Sequence, residues 1–179
     1  MVTLFEIIVT YFGGLYEKNY SILFFQNALS ERCCMTVNGL SHITLISSDL
    51  NRLEEILISV LDARKVYDSG AEQFSLSEER FYLIGNQNSV DETENLWLVA
   101  MKGNPKLERD YHHIAFAIHE DEIIKKELLI DEMKLEKKPP RPRVEGEGYS
   151  VYFYDFDSHL FELHSGTLAM RLKRYAKGK

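Results

Sequence analysis

The stretch "HITLI" at residues 42–46 returns 71 residues later as "HIAFAI" at residues 113–118. Both stretches alternate along the chain, which is typical of a β-strand with one buried face. In the second copy, isoleucine and phenylalanine side chains share one side, while His113 and two alanines share the other. His112 points away from His113. We therefore expect each copy to place one histidine, His42 or His113, at the mouth of a concave sheet surface.

A helical pattern follows each of these strands. Residues 50–61 carry apolar side chains at helical spacing, Asp49 offers an N-cap, and residues 120–133 repeat the arrangement. Extended segments follow each helix, namely "ARKVYDS", "RFYLIG" and "LWLVAM" in the first half and "RPRV", "SVYFYDF" and "HLFELHS" in the second. The sequence thus predicts an α+β fold of two paired βαβββ modules, about residues 37–104 and 105–179.

Composition restricts the partners that we expect. The chain has 179 residues, 45% of them apolar, and a formal net charge of -7. An acidic surface repels nucleic acid, and no stretch reaches the roughly 18 apolar residues of a membrane span, so we expect neither partner. Cys33 and Cys34 are adjacent and suggest no disulfide framework, which favours the reducing cytoplasm.

The first residues differ from the rest. Residues 1–36 are apolar and aromatic in patches and lack the basic start and cleavage site of a signal peptide. We expect an N-terminal extension of unknown role, with Met35 as an alternative start. The basic C-terminal tail is expected to be a solvated end.

Three side chains could share a metal ion. In "HLFELH", Glu162 lies in a mostly apolar strand, where a carboxylate must be paired or bound to a metal. Together with His42 and His113 it would leave coordination positions open on a divalent ion such as Mn or Fe, and Zn is also compatible. The alternative for each histidine is a hydrogen-bonded core residue.

Several segments resemble the fosfomycin-resistance enzymes of the vicinal oxygen chelate superfamily. These segments are "GLSHITLI", "FSLSEERFYLIG", "YHHIAFAI", "PPRPRVEGEG", "YFYDFDSHLFELHSGTL" and "RLKRY", and they cover about residues 37–177. The resemblance is strongest to the Mn-dependent, FosX-type epoxide hydrolase branch. It implies the paired βαβββ fold, a metal held by His42, His113 and Glu162, and a homodimer in which His42 of one chain completes the site of the other.

The same resemblance implies the reaction and its residues. Water would open the epoxide of fosfomycin, with the metal as Lewis acid and Glu79 as general base. Glu78 would point elsewhere and serve as a control. The remaining candidates would bind the phosphonate or wall the cavity: Thr44, Ser150, Tyr152 and Arg171 for the phosphonate, Trp97 and Tyr111 for the walls. One departure is Tyr149, where hydrolases of this type carry an arginine.

Two other functions fit the same fold. A thiol transferase would add a low-molecular-weight thiol to fosfomycin, and Glu79 argues against it. A non-catalytic drug-binding protein would need no metal, and the three candidate ligands argue against that.

Overall fold

Two four-stranded sheets build the structure, as the repeat predicts. The computed structural model describes residues 39–71, 75–86, 88–89, 94–106, 108–142 and 146–177. Leu40–Lys179 forms one unit of contacts. The predicted N-terminal extension, residues 1–36, lies outside the described residues, so it stays a prediction.

The first module follows the predicted order. Its elements are β1 (His42–Ser47), α1 (Leu50–Leu61), β2 (Arg64–Asp68), β3 (Glu79–Gly85) and β4 (Asn95–Lys102). The sheet order is β1-β4-β3-β2, with β1 parallel to β4 and the other pairs antiparallel. Asp49 caps α1 as expected, since its carboxylate accepts hydrogen bonds from the backbone N–H groups of Asn51 and Arg52.

The second module repeats this topology. Its elements are β5 (His113–Ala117), a 3₁₀ turn (Glu120–Glu122), α2 (Ile123–Glu132), β6 (Glu136–Lys138), β7 (Ser150–Tyr154) and β8 (Leu160–His164). The sheet order is β5-β8-β7-β6, again with the first pair parallel. A further helix, α3 (Leu168–Lys177), follows. The α+β fold of two βαβββ modules is therefore confirmed.

One strand lies earlier than predicted. An extended segment is expected at "RPRV" (residues 141–144), but the strand that pairs with β7 in the described residues is β6, which ends before Pro139. Arg141 and Pro142 are not part of a strand, and residues 143 and 144 lie outside the described residues. Prolines at 139, 140 and 142 have no backbone N–H to donate to a ladder, so the chain leaves the sheet there. The first two β7 residues, Ser150 and Val151, consequently have no β6 partner in the register.

The helices and the two sheets share one apolar core. Leu53 and Leu57 of α1 and Ile130 of α2 are fully buried together with Phe153 and Phe161 of the second sheet. Burying a side chain of this size contributes about 1.5–3 kcal/mol. Each sheet therefore packs its helix side inward, which leaves its other face for the site.

A polar latch also joins the modules. The Asp157 carboxylate, in the turn between β7 and β8, accepts hydrogen bonds from the Ser47 hydroxyl (2.8 Å) and from the Ser48 hydroxyl and backbone N–H (2.6 and 2.9 Å).

Among the described helices, none is long and apolar enough to cross a membrane.

Candidate metal and substrate site

His113 and Glu162 meet on the open face of the second sheet. They lie on the adjacent parallel strands β5 and β8, where Ala115 is the register partner of Glu162 and His113 is two residues earlier on the same face. His113 Nε2 is 2.9 Å from Glu162 Oε2. Two of the three predicted metal ligands are therefore within hydrogen-bond distance of one another.

The His113 ring is oriented by its own strand. Nδ1 lies 2.8 Å from the backbone carbonyl oxygen of Tyr111. Because a carbonyl oxygen can only accept, Nδ1 donates a hydrogen bond to Tyr111, and Nε2 is the ring nitrogen that faces Glu162. Metal-binding histidines commonly have this arrangement, with one nitrogen held by a carbonyl group and the other turned to the metal.

Glu162 is a buried carboxylate with several donors around it. Its side chain is 3% exposed, and the Ser150 hydroxyl donates to Oε1 at 2.5 Å. Burial raises the pKa of the Glu162 carboxyl, but hydrogen bonds from Ser150 and Tyr152 and the nearby imidazoles of His113 and His164 lower it, so that it lies below its usual value. Glu162 therefore stays anionic, as a metal ligand must.

Two tyrosines close one side of this pair. The hydroxyl groups of Tyr111 and Tyr152 are 3.1 Å apart, and the Tyr111 ring lies against His113 with the ring centres at 4.9 Å. Burial and the hydrogen bonds to Tyr111 and Glu162 raise the pKa of Tyr152 far above its usual range, so it remains a donor. Both tyrosines thus lie where a substrate on the His113–Glu162 pair would meet them.

In the first module, His42 and Thr44 lie on the open face of the sheet. Both are exposed, while the alternate residues Leu45 and Ser47 are buried. Trp97 is the register partner of His42 on β4 and therefore lies beside it on this face. Its indole N–H is buried and has no acceptor within the described part of the chain.

Glu79 occupies the far end of the same face. It begins β3, its partner on β4 is Met101, and Met101 pairs with Ile46 on β1. The four-residue step from Ile46 to His42 corresponds to about 13 Å along the strand. Within one chain, Glu79 shares the open face with His42 without touching it.

The backbone of Glu79 is hydrogen-bonded to a buried serine, Ser69, which no sequence pattern indicated. Ser69 is 8% exposed. Its hydroxyl oxygen accepts a hydrogen bond from the Glu79 backbone N–H, and its own backbone N–H donates to the Glu79 carbonyl oxygen, both at 3.0 Å. The neighbouring Glu78 instead approaches Arg80 at 3.7 Å. The two glutamates therefore have different surroundings, and the role of Glu79 as a base stays a prediction.

Two arginines are candidate cations. Arg171 of α3 is partly buried, whereas its neighbours Leu168 and Leu172 are exposed. Arg141, which sequence reasoning missed, pairs with the buried Glu147 at 2.9 Å. Burial lowers the pKa of Arg141, but Glu147 and the electrostatic influence of nearby tyrosines, Tyr152 among them, raise it, so a permanent cation lies close to the site.

Tyr149, which stands where the resemblance expects an arginine, lies at a groove of about 620 Å³. The groove is also lined by Ile123 and Ile124 of α2 and by Pro139 and Pro140. The Tyr149 side chain is 63% exposed. Tyrosine in place of arginine at this position therefore changes the lining of a groove that α2 and the start of β7 share.

The third predicted ligand does not join the other two. Within the described residues, no group of three or more histidine, cysteine, aspartate or glutamate side chains is close enough to hold a metal. His42 instead lies 3.3 Å from the hydroxyl of its neighbour Ser41. One chain thus supplies His113 and Glu162 together and His42 separately.

Comparison with known proteins identifies close relatives. No protein-family model matches the chain. The fosfomycin resistance protein FosX of Mesorhizobium japonicum is 50% identical over 142 residues, which cover 79% of this chain and 96% of the relative. FosX of Listeria monocytogenes is 50% identical over 139 residues, covering 78% and 98%. The metallothiol transferase FosB of Lysinibacillus sphaericus is more distant, 32% identical over 149 residues, covering 81% and 94%.

Solved structures show the same fold. A mutant of Listeria monocytogenes FosX, in complex with Mn(II) and 1S,2S-dihydroxypropylphosphonic acid, matches with a TM-score of 0.66 and 47% identity, covering 78% of this chain and 98% of that one. FosX from Mesorhizobium loti matches with a TM-score of 0.64 and 46% identity, covering 77% and 99%.

Proposed function

Because the chain belongs to the FosX family of fosfomycin resistance proteins, we propose that it hydrolyses the epoxide of fosfomycin to a diol and so confers resistance. The observation that carries the proposal is the His113–Glu162 pair, a preformed nitrogen and carboxylate donor set on an open sheet face. The complex of a FosX relative with Mn(II) and a dihydroxypropylphosphonic acid, the form that fosfomycin takes after addition of water, supports the same reaction.

Mn²⁺ is the proposed cofactor, and the residues fit it. An anionic carboxylate oxygen and a neutral imidazole nitrogen are ligands that first-row divalent metals accept. Glu162 and His113 would hold the ion, and His42 would complete the protein ligands. When bound, Mn²⁺ supplies Lewis-acid stabilisation of the negative charge that develops on the epoxide oxygen.

His42 of a second copy is the proposed third ligand. In a symmetric dimer, each chain would contribute His42 to the site that holds the other chain's His113 and Glu162. The exposure of His42 and Thr44 supports this arrangement, because both side chains project from a face that their own chain leaves open. The homodimer would thus contain two equivalent shared sites.

Glu79 is the proposed general base. Its carboxylate would take a proton from water as the water oxygen attacks an epoxide carbon and the carbon–oxygen bond breaks. The released oxygen then takes up a proton, so that one water is consumed for each diol formed. A carboxylate in this role typically contributes about 10²–10⁴-fold to the rate.

The other predicted residues would bind the phosphonate or enclose the substrate. We assign Thr44, Tyr152 and Arg171 to the phosphonate, since a hydroxyl group and a guanidinium fork match its oxygens. Trp97 and Tyr111 would form walls. Arg141 is a further candidate cation, because it lies within electrostatic range of Tyr152. Ser150 is treated separately below.

A product assay tests the proposal. The purified protein is incubated with Mn²⁺ and fosfomycin, with and without glutathione or another small thiol, and phosphorus NMR follows the products. We expect the diol to form at the same rate in both samples. Addition of a chelator, which removes Mn²⁺, should stop diol formation. Product that requires the thiol would support the transferase activity named for the FosB relatives, and stoichiometric binding without turnover would support a drug-binding protein.

The sequence-based expectations of a cytoplasmic location and of no nucleic-acid partner stay predictions.

A further inference from the structure

Ser150 joins Glu162 to a second buried histidine, His164. The Ser150 hydroxyl oxygen lies 2.5 Å from Glu162 Oε1 and 2.9 Å from His164 Nδ1. His164 is 8% exposed and ends β8, two residues after Glu162 on the same face. The sequence placed the two side chains on one face but gave His164 no role.

The direction of these hydrogen bonds follows from the acceptors. His164 Nδ1 is also 3.1 Å from the backbone carbonyl oxygen of Tyr149, which can only accept, so Nδ1 carries a proton. The Ser150 oxygen then receives a hydrogen bond from His164, and its single proton is directed at the acceptor-only carboxylate of Glu162. The hydrogen bonds therefore all run in one direction, from the His164 imidazole to the Ser150 hydroxyl and from there to the Glu162 carboxylate.

Two close-packed glycines hold the imidazole in place. A Cβ on Gly166 would come within 2.9 Å of His164 Cε1 and Nε2, and a Cβ on Gly148 would come within 2.5 Å of the Gly166 nitrogen. Gly148 also has a φ of 76°, in the left-handed region that favours glycine. The ring is therefore fixed by backbone contacts and not only by its hydrogen bonds.

We infer that His164 is a positioning residue for the metal site: acting through Ser150, it fixes Glu162 Oε1 and leaves Oε2 directed at His113 and the ion. The inference rests on the proposed function, in which Glu162 is a ligand. It gives Ser150 a different task from the one first expected, because the Ser150 proton serves Glu162 and not the phosphonate. Partners of this kind typically change metal affinity by about 10–100-fold when removed.

Mn²⁺ affinity, measured by the EPR signal of the free ion, provides the first test. His164→Leu is expected to weaken binding by about 10–100-fold. His164→Asn, whose amide N–H can replace Nδ1–H, is expected to restore most of the loss. Unchanged affinity in His164→Leu, or no rescue by His164→Asn, would overturn the inference.

His159→Leu is the matched control. His159 is another largely buried imidazole of the same hairpin, but it pairs with Asp155 at 2.6 Å. This variant is expected to lower the melting temperature and leave Mn²⁺ affinity unchanged. Equal loss of Mn²⁺ affinity in His159→Leu and His164→Leu would mean that general destabilisation, and not positioning, explains the effect.

Ser150→Ala keeps the inference testable if His164→Leu does not fold. Because the Ser150 proton is the one that fixes Glu162 Oε1, Ser150→Ala should weaken Mn²⁺ binding by about 10–100-fold. Unchanged affinity in Ser150→Ala would contradict the relay.

A metal-free measurement separates this inference from the proposed function. Nitrogen-15 NMR of the protein without metal at pH 8 should show a proton on His164 Nδ1. An unprotonated Nδ1 would overturn the relay whatever the protein does with fosfomycin. A protonated Nδ1 in a protein that forms no diol would instead support the relay and refute the proposed reaction.

Discussion

The two modules share a topology but differ in how they prepare their open faces. In the second module, His113, Glu162, Ser150 and His164 are already joined by hydrogen bonds. In the first module, His42 and Thr44 are exposed, and Glu79 lies at the far end of the sheet. One copy of the repeat thus holds an organised pair of candidate metal ligands, while the other presents separate groups that the proposed dimer would bring to such a pair.

The modules also differ in what stabilises them. The first has an ion-pair network on its helix side, in which Glu54 and Asp68 share Lys65 and Arg80 at 3.0–3.2 Å. The second module has the buried Glu162 and His164 on its open face, joined through Ser150.

The largest effect is expected at Glu79. Glu79→Gln removes the proposed base and should lower diol formation by about 10²–10⁴-fold, with Mn²⁺ affinity preserved, as measured by phosphorus NMR and EPR. Glu78→Gln, which alters a carboxylate near Arg80, should stay near wild type. Near-normal hydrolysis by Glu79→Gln would refute the assignment.

The latch between the modules should have the next largest effect. Asp157→Ala removes the acceptor for Ser47 and for both Ser48 donors, and we expect a loss of about 2 kcal/mol in the free energy of unfolding, measured with urea. Asp121→Ala, at an exposed position, is the control. Equal stability of the two variants would show that the latch contributes nothing.

A smaller effect is expected at Ser69. Ser69→Ala leaves the Glu79 N–H without its hydroxyl acceptor, which should loosen Glu79 and lower kcat by about 5–10-fold with little change in KM. Ser69→Thr keeps the hydroxyl and should recover the rate. A loss that Ser69→Thr does not recover would point to packing instead.

The smallest effect is a pH dependence in the first module. Burial raises the pKa of Glu54, but hydrogen bonds from Tyr82 and Lys65 and the charges of Lys65 and Arg80 lower it on balance. A lowered folded-state pKa stabilises the protein above the unfolded-state pKa, and this contribution is lost as pH falls through the folded value. Above about pH 4.5 we expect the free energy of unfolding of wild type to exceed that of Glu54→Gln by about 1 kcal/mol. As the pH falls below about 4.5, this difference should disappear. Parallel stability curves for the two proteins would contradict this.

The sequence was sufficient to predict the repeat because its strands alternate and its helices carry apolar residues at helical spacing. It also placed His42 and His113 on open faces, since alternation alone determines the side of a strand. It could not predict that β6 precedes the prolines, because "EKK" has no apolar alternation. Nor could it reveal Ser69 or Arg141, whose partners, Glu79 and Glu147, depend on how turns and loops bring separated residues together.

The most direct test concerns a metal site assembled from two copies of the chain. His42→Ala and Glu162→Ala are co-expressed with different tags, and the mixed dimer is purified and assayed with Mn²⁺ and fosfomycin. Each variant alone should be inactive, whereas the mixed dimer should have one intact site and about half of the wild-type activity. An inactive mixed dimer, or a fully active His42→Ala protein, would contradict the shared site.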